Sequence, residues 1–270
     1  MIDPFWQLRR LNSETAMPGR SHETIVSDQF SPQAQSYLAS AVHAQGEDLD
    51  MLRRIVAERP NAVSLDLGCG GGHVSFMLAP LTQKVVAYDL APAMVETVRA
   101  EANRRSLKNL ETRQGFVEKL PWPDDSFDLV VSRYSAHHWR DIAAGLMEAR
   151  RVLKHGGLAV FMDVAAPDQP LLDTWLQSLE LLRDPSHVRD YTIGEWRGML
   201  ENAGFQPTEG SRFRLRLEFS SWVRRINTPE LHIQAIRSLQ AMAGADVCQY
   251  FEIEPDGTFK LDTMLMIAQG

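Results

Sequence analysis

Asp66 stands immediately before a glycine-rich stretch, "LDLGCGGGH", and a second acid, Asp89, closes "VVAYDL" roughly twenty residues beyond it. Two carboxylates and a glycine loop at this spacing can build one ligand site, and the neighbouring residues limit the ligand. A phosphate-cradling P-loop needs a Gly-Lys-Ser/Thr ending, whereas His73 and Val74 follow the glycines here. A dinucleotide fingerprint that starts at Gly68 and Gly70 needs a third small residue where the bulky His73 stands. Asp66 would also repel a pyrophosphate. A cationic ligand removes the conflict. The ammonium and sulfonium of S-adenosylmethionine (SAM) favour a nearby carboxylate, and Gly68 and Gly70 allow close backbone approach to its amino-acid end. Asp66 is then the charge partner, direct or through water, and Asp89 the acceptor for both ribose hydroxyls.

Residues used in this way must sit at strand ends. From Val63 onward, apolar strand-like runs alternate with helical patterns, the signature of a parallel sheet covered by helices. "AVSLDLG" is expected as the first strand, followed by a helix over 72–79 and a second strand, "KVVAYDL". Pro92 opens a helix with Met94, Val95, Val98 and Ala102 on one face. "LETRQGF" and "FDLVVSR" supply strands three and four. Asp141 is placed to cap a helix that "HGG" stops before the strand "LAVFMDV". Thr192 and Glu195 form a capping box on a helix ended by Gly204, Ser220 to Met242 is mostly helical, and "YFEIE" and "TMLMIAQ" are expected as late strands.

Composition narrows the function. A chain of 270 residues with 44% hydrophobic and 23% charged residues can bury a sizeable core. Its net charge of -7, with no basic stripe, argues against a nucleic-acid partner. The pairs Arg150/Arg151 and Arg224/Arg225 are expected as solvated helix faces. Cys69 and Cys248 imply neither a disulfide framework nor a metal site, and Cys69 is expected to be a small buried residue. No signal-like or membrane-spanning apolar run occurs, so a cytoplasmic protein without membrane insertion is expected.

Four segments in order, "VSLDLGCGGGHVSFMLA", "VVAYDLAPAMVETV", "GFVEKLPWPDDSFDLVVSRYSAHHW" and "EARRVLKHGGLAVFMDV", resemble the class I SAM-dependent methyltransferases, specifically the ubiquinone/menaquinone-biosynthesis-like group that acts on small molecules. The resemblance covers Val63 to Val164 and extends weakly to either side. It implies an α/β fold with a Rossmann-like, doubly wound, seven-stranded and mostly parallel sheet, helices on both faces, an N-terminal helical lid and a late helical insertion. The corresponding division is a disordered N-terminus over 1–24, the lid over 25–60, and the catalytic domain over 61–270 with its insertion at about 219–243. It also implies SAM as cofactor and a small-molecule methyl acceptor. Many relatives have an aspartate after the glycine of the third motif, but here Gly115 is followed by Phe116. Adenine is therefore expected against Phe116, Val117 and Glu118, with Leu90 and Arg133 completing the cofactor set.

Methyl transfer is an in-line displacement, so holding the acceptor in place does much of the work, and a base is needed only if the acceptor must lose a proton. The loop after strand four, "SRYSAHHW", is the natural place for one. His138 is the expected base, because adjacent side chains diverge and Trp139 is expected to turn inward. Tyr134 and His137 from this loop, Tyr37 and His43 from the lid helix, and His187 and Arg189 from "RDPSHVRDY" are the other acceptor-pocket candidates. Each also has a plain structural explanation, as a packing or solvated residue. Two rival functions are a SAM-binding module without turnover and a nicotinamide-dependent oxidoreductase.

Overall fold

The computed structural model describes residues 19–38 and 45–270. Strands β1 (Val63–Leu67), β2 (Lys84–Asp89), β3 (Leu110–Gln114), β4 (Phe127–Arg133) and β5 (Leu153–Ala165) pair in parallel. They are joined by β6 (Gln206–Leu217) and β7 (Phe259–Gln269), and β7 runs antiparallel to both β5 and β6. The sheet order is β3-β2-β1-β4-β5-β7-β6. The chain therefore reverses its direction of sheet growth between β1 and β4. In open α/β sheets a crevice opens at that place, at the carboxyl ends of the strands.

Strand side chains alternate between two cores. Val85 and Ala87 face one side with Leu52 of α3 (Glu47–Ala57), Leu78 of α4 (His73–Leu78) and Val98 of α5 (Pro92–Arg104). Val86 and Tyr88 face the other, with Leu146 of α6 (Ile142–Val152) and Trp196 of α8 (Ile193–Asn202). A third core starts at Val164 near the end of β5. It gathers Leu176 of α7 (Pro170–Arg183), Trp222 of α9 (Phe219–Arg224), Ile236 of α10 (Glu230–Ala241) and Phe251 of α11 (Ala245–Phe251). The late helical insertion thus lies between β6 and β7, and it extends past the expected limit near 243.

Ahead of the sheet, α1 (His22–Phe30), a single 3-10 turn (Ser31–Gln33) and α2 (Ala34–Leu38) form the described part of the lid segment. Ser21 caps α1 by accepting a bond from the Thr24 amide, so the helix starts before the boundary expected at 25. Of the expected N-terminal segment, residues 1–18 lie outside the described residues.

Three features differ from expectation. "YFEIE" is not a strand: Tyr250 and Phe251 end α11, and Glu252, at φ +46°, turns the chain. β6 was not foreseen because its alternation of arginine with phenylalanine or leucine, from Arg212 to Leu217, marks a charged edge strand rather than an apolar run. "HGG" does not precede β5 but lies within its first residues, where the register against β4 shifts and the Gly156 amide donates to the Gly270 carbonyl at 3.1 Å. No helix among the described residues is long and apolar enough to cross a membrane.

Candidate functional site

The loop leaving β1 is shaped by its backbone. Gly68 (φ +69°) and Gly70 (φ +48°) occupy left-handed conformations that disfavour side chains. A Cβ at Gly68 would collide with the Ser135 hydroxyl, which belongs to the loop after β4. At Gly70 nothing lies within 4 Å of that position. The close approach at Gly68 is thus to Ser135, while Gly70 leaves a cavity open. The Asp89 carboxylate, at the end of β2, accepts the Gly70 amide and the Ala91 amide, both at 2.8 Å. Burial raises its pKa.

Gly68, Gly70 and Asp89 form one side of a cavity of about 780 Å³, with Leu90, Phe116, Val117 and Glu118 along another. The Phe116 ring is half exposed, and its carbonyl accepts the Tyr88 hydroxyl at 3.2 Å. Helix α1 crosses the remaining side: His22 Nε2 donates to the His138 carbonyl at 2.9 Å, and Glu23 pairs with Arg140 at 2.9 Å. His73, the residue that excludes a dinucleotide fingerprint, donates from Nε2 to the Tyr37 carbonyl at 2.8 Å and so fastens α2 to the glycine loop.

Two expected cofactor contacts lie elsewhere. Asp66 is not at the cavity mouth but beneath the loop, only 1% exposed, where it accepts the Ser75 hydroxyl at 2.6 Å and burial raises its pKa to about 7. Arg133 turns away to Asp48, with bonds of 2.6 and 3.2 Å in a buried pair. A buried guanidinium requires such a partner, and this one fastens α3 to the end of β4. His43 lies outside the described residues.

Residues 65–161 match a family model described as a methyltransferase domain. The uncharacterized protein YafE of Escherichia coli strain K12 is 46% identical over 201 residues, spanning 74% of this chain and 97% of YafE. The uncharacterized methyltransferase YcgJ of Bacillus subtilis strain 168 is 36% identical over 200 residues, spanning 74% of this chain and 79% of YcgJ. The chain is a class I SAM-dependent methyltransferase. The crystal structure of YcgJ matches with a TM-score of 0.79 at 31% identity, covering 82% of this chain and 97% of that one. A structure from Bacillus halodurans C-125 gives 0.80 at 33% identity, covering 83% and 99%.

This membership sets aside the nicotinamide-dependent alternative, and the first cavity of this SAM-dependent methyltransferase fits its cofactor. Gly70 leaves space beside the loop, Asp89 offers an acceptor at a strand end, and Phe116 offers an apolar surface.

A second cavity of about 630 Å³ adjoins the first and shares Phe30, Tyr37, Tyr134 and His138 with it. Tyr134 is held at φ +51°, an uncommon conformation for a bulky residue and one associated with sites under functional constraint. His137 Nδ1 donates to Asp163, near the end of β5, at 2.5 Å. Burial lowers the pKa of this imidazole, but the charge of Asp163 and the hydrogen bond together outweigh it and raise the value to about 9. His138 is the opposite case: burial and the neighbouring His137 cation push it down to about 4. Its Nδ1 donates to the Ser186 carbonyl at 3.1 Å, which leaves Nε2 as the basic nitrogen, 4.0 Å from Asp184. Trp139 turns inward as expected and donates to Ser135 Oγ at 3.1 Å.

His187 and Arg189 do not reach either cavity. Burial drives His187 down to about 2, and its Nε2 is bonded to Gln177 at 2.8 Å, while Arg189 pairs with Asp173 at 3.0 Å. Their loop contributes Asp184 and Asp190 to the second cavity instead. Arg225 is the clearest departure from the sequence reading. Arg224 is exposed, but Arg225 lines the cavity. The available signal was its position three residues after Trp222, which puts both on one helical face. Asp163 was detectable by the same strand-end logic as Asp89.

The His137–Asp163 pair predicts a pH dependence of stability. The folded-state pKa of His137 lies above its unfolded value, so its contribution is complete below about pH 6.5 and is lost as pH rises through about 9. Wild-type protein should lose about 3 kcal/mol more unfolding free energy between those limits than His137→Gln. Denaturant titrations at both pH values measure this, and equal losses in the two proteins would refute the assignment.

Proposed function

We propose that the chain transfers a methyl group from SAM to a small molecule seated in the second cavity. The observation behind this is the wall of Phe30, Tyr37, Tyr134 and His138 common to both cavities, across which a donor and an acceptor would meet. SAM supplies an electrophilic methyl on its sulfonium. Asp89 takes the ribose hydroxyls, the Gly68–Gly70 backbone receives the amino-acid end with Asp66 beneath it, and Leu90, Phe116, Val117 and Glu118 surround the adenine. Phe30, Tyr37 and Tyr134 exclude water and orient the acceptor. Where the acceptor is a hydroxyl or an acidic carbon, His138 Nε2 takes its proton, and the Ser186 carbonyl on Nδ1 holds the required tautomer.

SAM and S-adenosylhomocysteine should bind in calorimetry and NAD should not. Methyl-labelled SAM incubated with the protein and a metabolite extract should then label a small molecule. NAD binding in place of SAM would overturn the cofactor assignment. Label that appeared only in protein or RNA would overturn the acceptor class, and a SAM complex that never turned over would favour the binding-module alternative.

A further inference from the structure

Most of the charged groups around the second cavity have partners. Glu180 is held with Arg183 at 3.4 Å. Asp184 accepts the Ser186 amide at 2.8 Å and the Ser186 hydroxyl at 2.6 Å, and it faces His138. His137 is paired with Asp163. Asp190 is 1% exposed, and burial raises the pKa of its carboxyl well above the usual range. One cation is left without an ion-pair partner. The Arg225 side chain makes no ion pair or hydrogen bond among the described residues, and its Nε is buried without a partner. Burial first, and then the nearby Arg183, act against its charge, while the Tyr37 phenol on the shared wall lies within the field of both guanidiniums.

The rest of the lining is apolar: Val164, Leu215, Leu217 and Leu261, with the Trp222 ring beside Arg183. We infer that the acceptor is an apolar molecule carrying one carboxylate, and that Arg225 receives that carboxylate beside the methyl-transfer wall; this rests on the reading of the second cavity as the acceptor site. A guanidinium edge offers parallel N–H donors that match the two oxygens of a carboxylate, and a partly desolvated cation gains more from such a pair than an exposed one. A single guanidinium without a paired acid matches one carboxylate. A phosphomonoester would bring nearly two charges into a cavity with a single unpaired cation to meet them.

The test uses full-length protein saturated with S-adenosylhomocysteine, titrated in a calorimeter with 3-phenylpropionate, octanoate and 4-hydroxybenzoate, and with the uncharged amide of each. At least one carboxylate should bind about tenfold or more tightly than its amide. Arg225→Gln should abolish that preference, and Arg225→Lys should keep part of it. The S-adenosylhomocysteine titration in the same cell shows that each variant is folded. If the cofactor product binds but acids and amides bind alike, or no acid binds, the carboxylate assignment is overturned and the cofactor reading stands. A preference that survives Arg225→Gln also overturns it. If S-adenosylhomocysteine does not bind wild-type protein, the cofactor reading fails, and the inference with it.

Discussion

Asp89→Ala is expected to raise the dissociation constant for S-adenosylhomocysteine by ~30-fold or more, about 2 kcal/mol. Each carboxylate oxygen already accepts one backbone amide, from Gly70 and from Ala91, and each keeps lone-pair capacity for a ribose hydroxyl. Removing the carboxylate therefore costs the charge-assisted bonds to the ligand and also leaves the Gly70 amide, which sets the loop, without its acceptor. Asp89→Asn keeps one acceptor oxygen but no charge, so its affinity should fall between wild type and the alanine variant. Calorimetry on proteins shown to be folded by circular dichroism makes the comparison. An alanine variant with unchanged affinity would mean that Asp89 only secures the start of α5.

The second large effect concerns His138. With an acceptor that must lose a proton, His138→Ala should lower kcat by ~100-fold while S-adenosylhomocysteine affinity stays near wild type. The pH profile carries the sharper prediction. A free histidine would put the acid limb of kcat near neutrality, but burial and the His137 cation push His138 down to about 4. The base is therefore in its neutral form throughout the neutral range, and the wild-type limb should appear only well below pH 6. His137→Gln removes the cation 4.1 Å away, measured between ring centroids, so the limb should move up toward neutrality in that variant. Small and equal effects on kcat at both histidines, with no movement of the limb, would leave positioning of the acceptor as the mechanism.

How much of the site was legible depends on how far apart in the chain its determinants lie. The glycine loop was readable because its requirement is local: Gly68 and Gly70 take positive φ angles on a turn that must follow a buried strand. Asp89 was readable because a strand-end acid at that spacing is a local pattern. Asp141 caps α6 by accepting the Ala144 amide, and Thr192 with Glu195 forms the foreseen capping box, again within a few residues. The parallel β1 to β5 order followed from alternating apolar runs, because buried parallel strands must be apolar on both faces.

The charged residues were less legible because burial decides their roles, and burial is a property of the assembled chain. Arg133 was assigned to the cofactor from its place at the end of β4, yet its partner Asp48 stands 85 residues earlier in the chain. Asp66 has the residue type of a surface charge partner but lies under its own loop, where the dry surroundings hold its pKa near neutrality. His137 and His138 are adjacent in sequence and nearly opposite in acidity, because Asp163 reaches one of them and the resulting cation bears on the other. Arg225 looked like half of a solvated pair until α9 packed Trp222 against the third core and drew the next turn of the helix into the cavity. By itself the sequence determined the fold class and the backbone of the glycine loop, since these follow from apolar periodicity and backbone conformation along short stretches. Which histidine carries charge, which arginine is left without an acid and where the second cavity opens were decided only by the tertiary structure, because an ionisable group takes its charge and partner from whatever folding buries beside it.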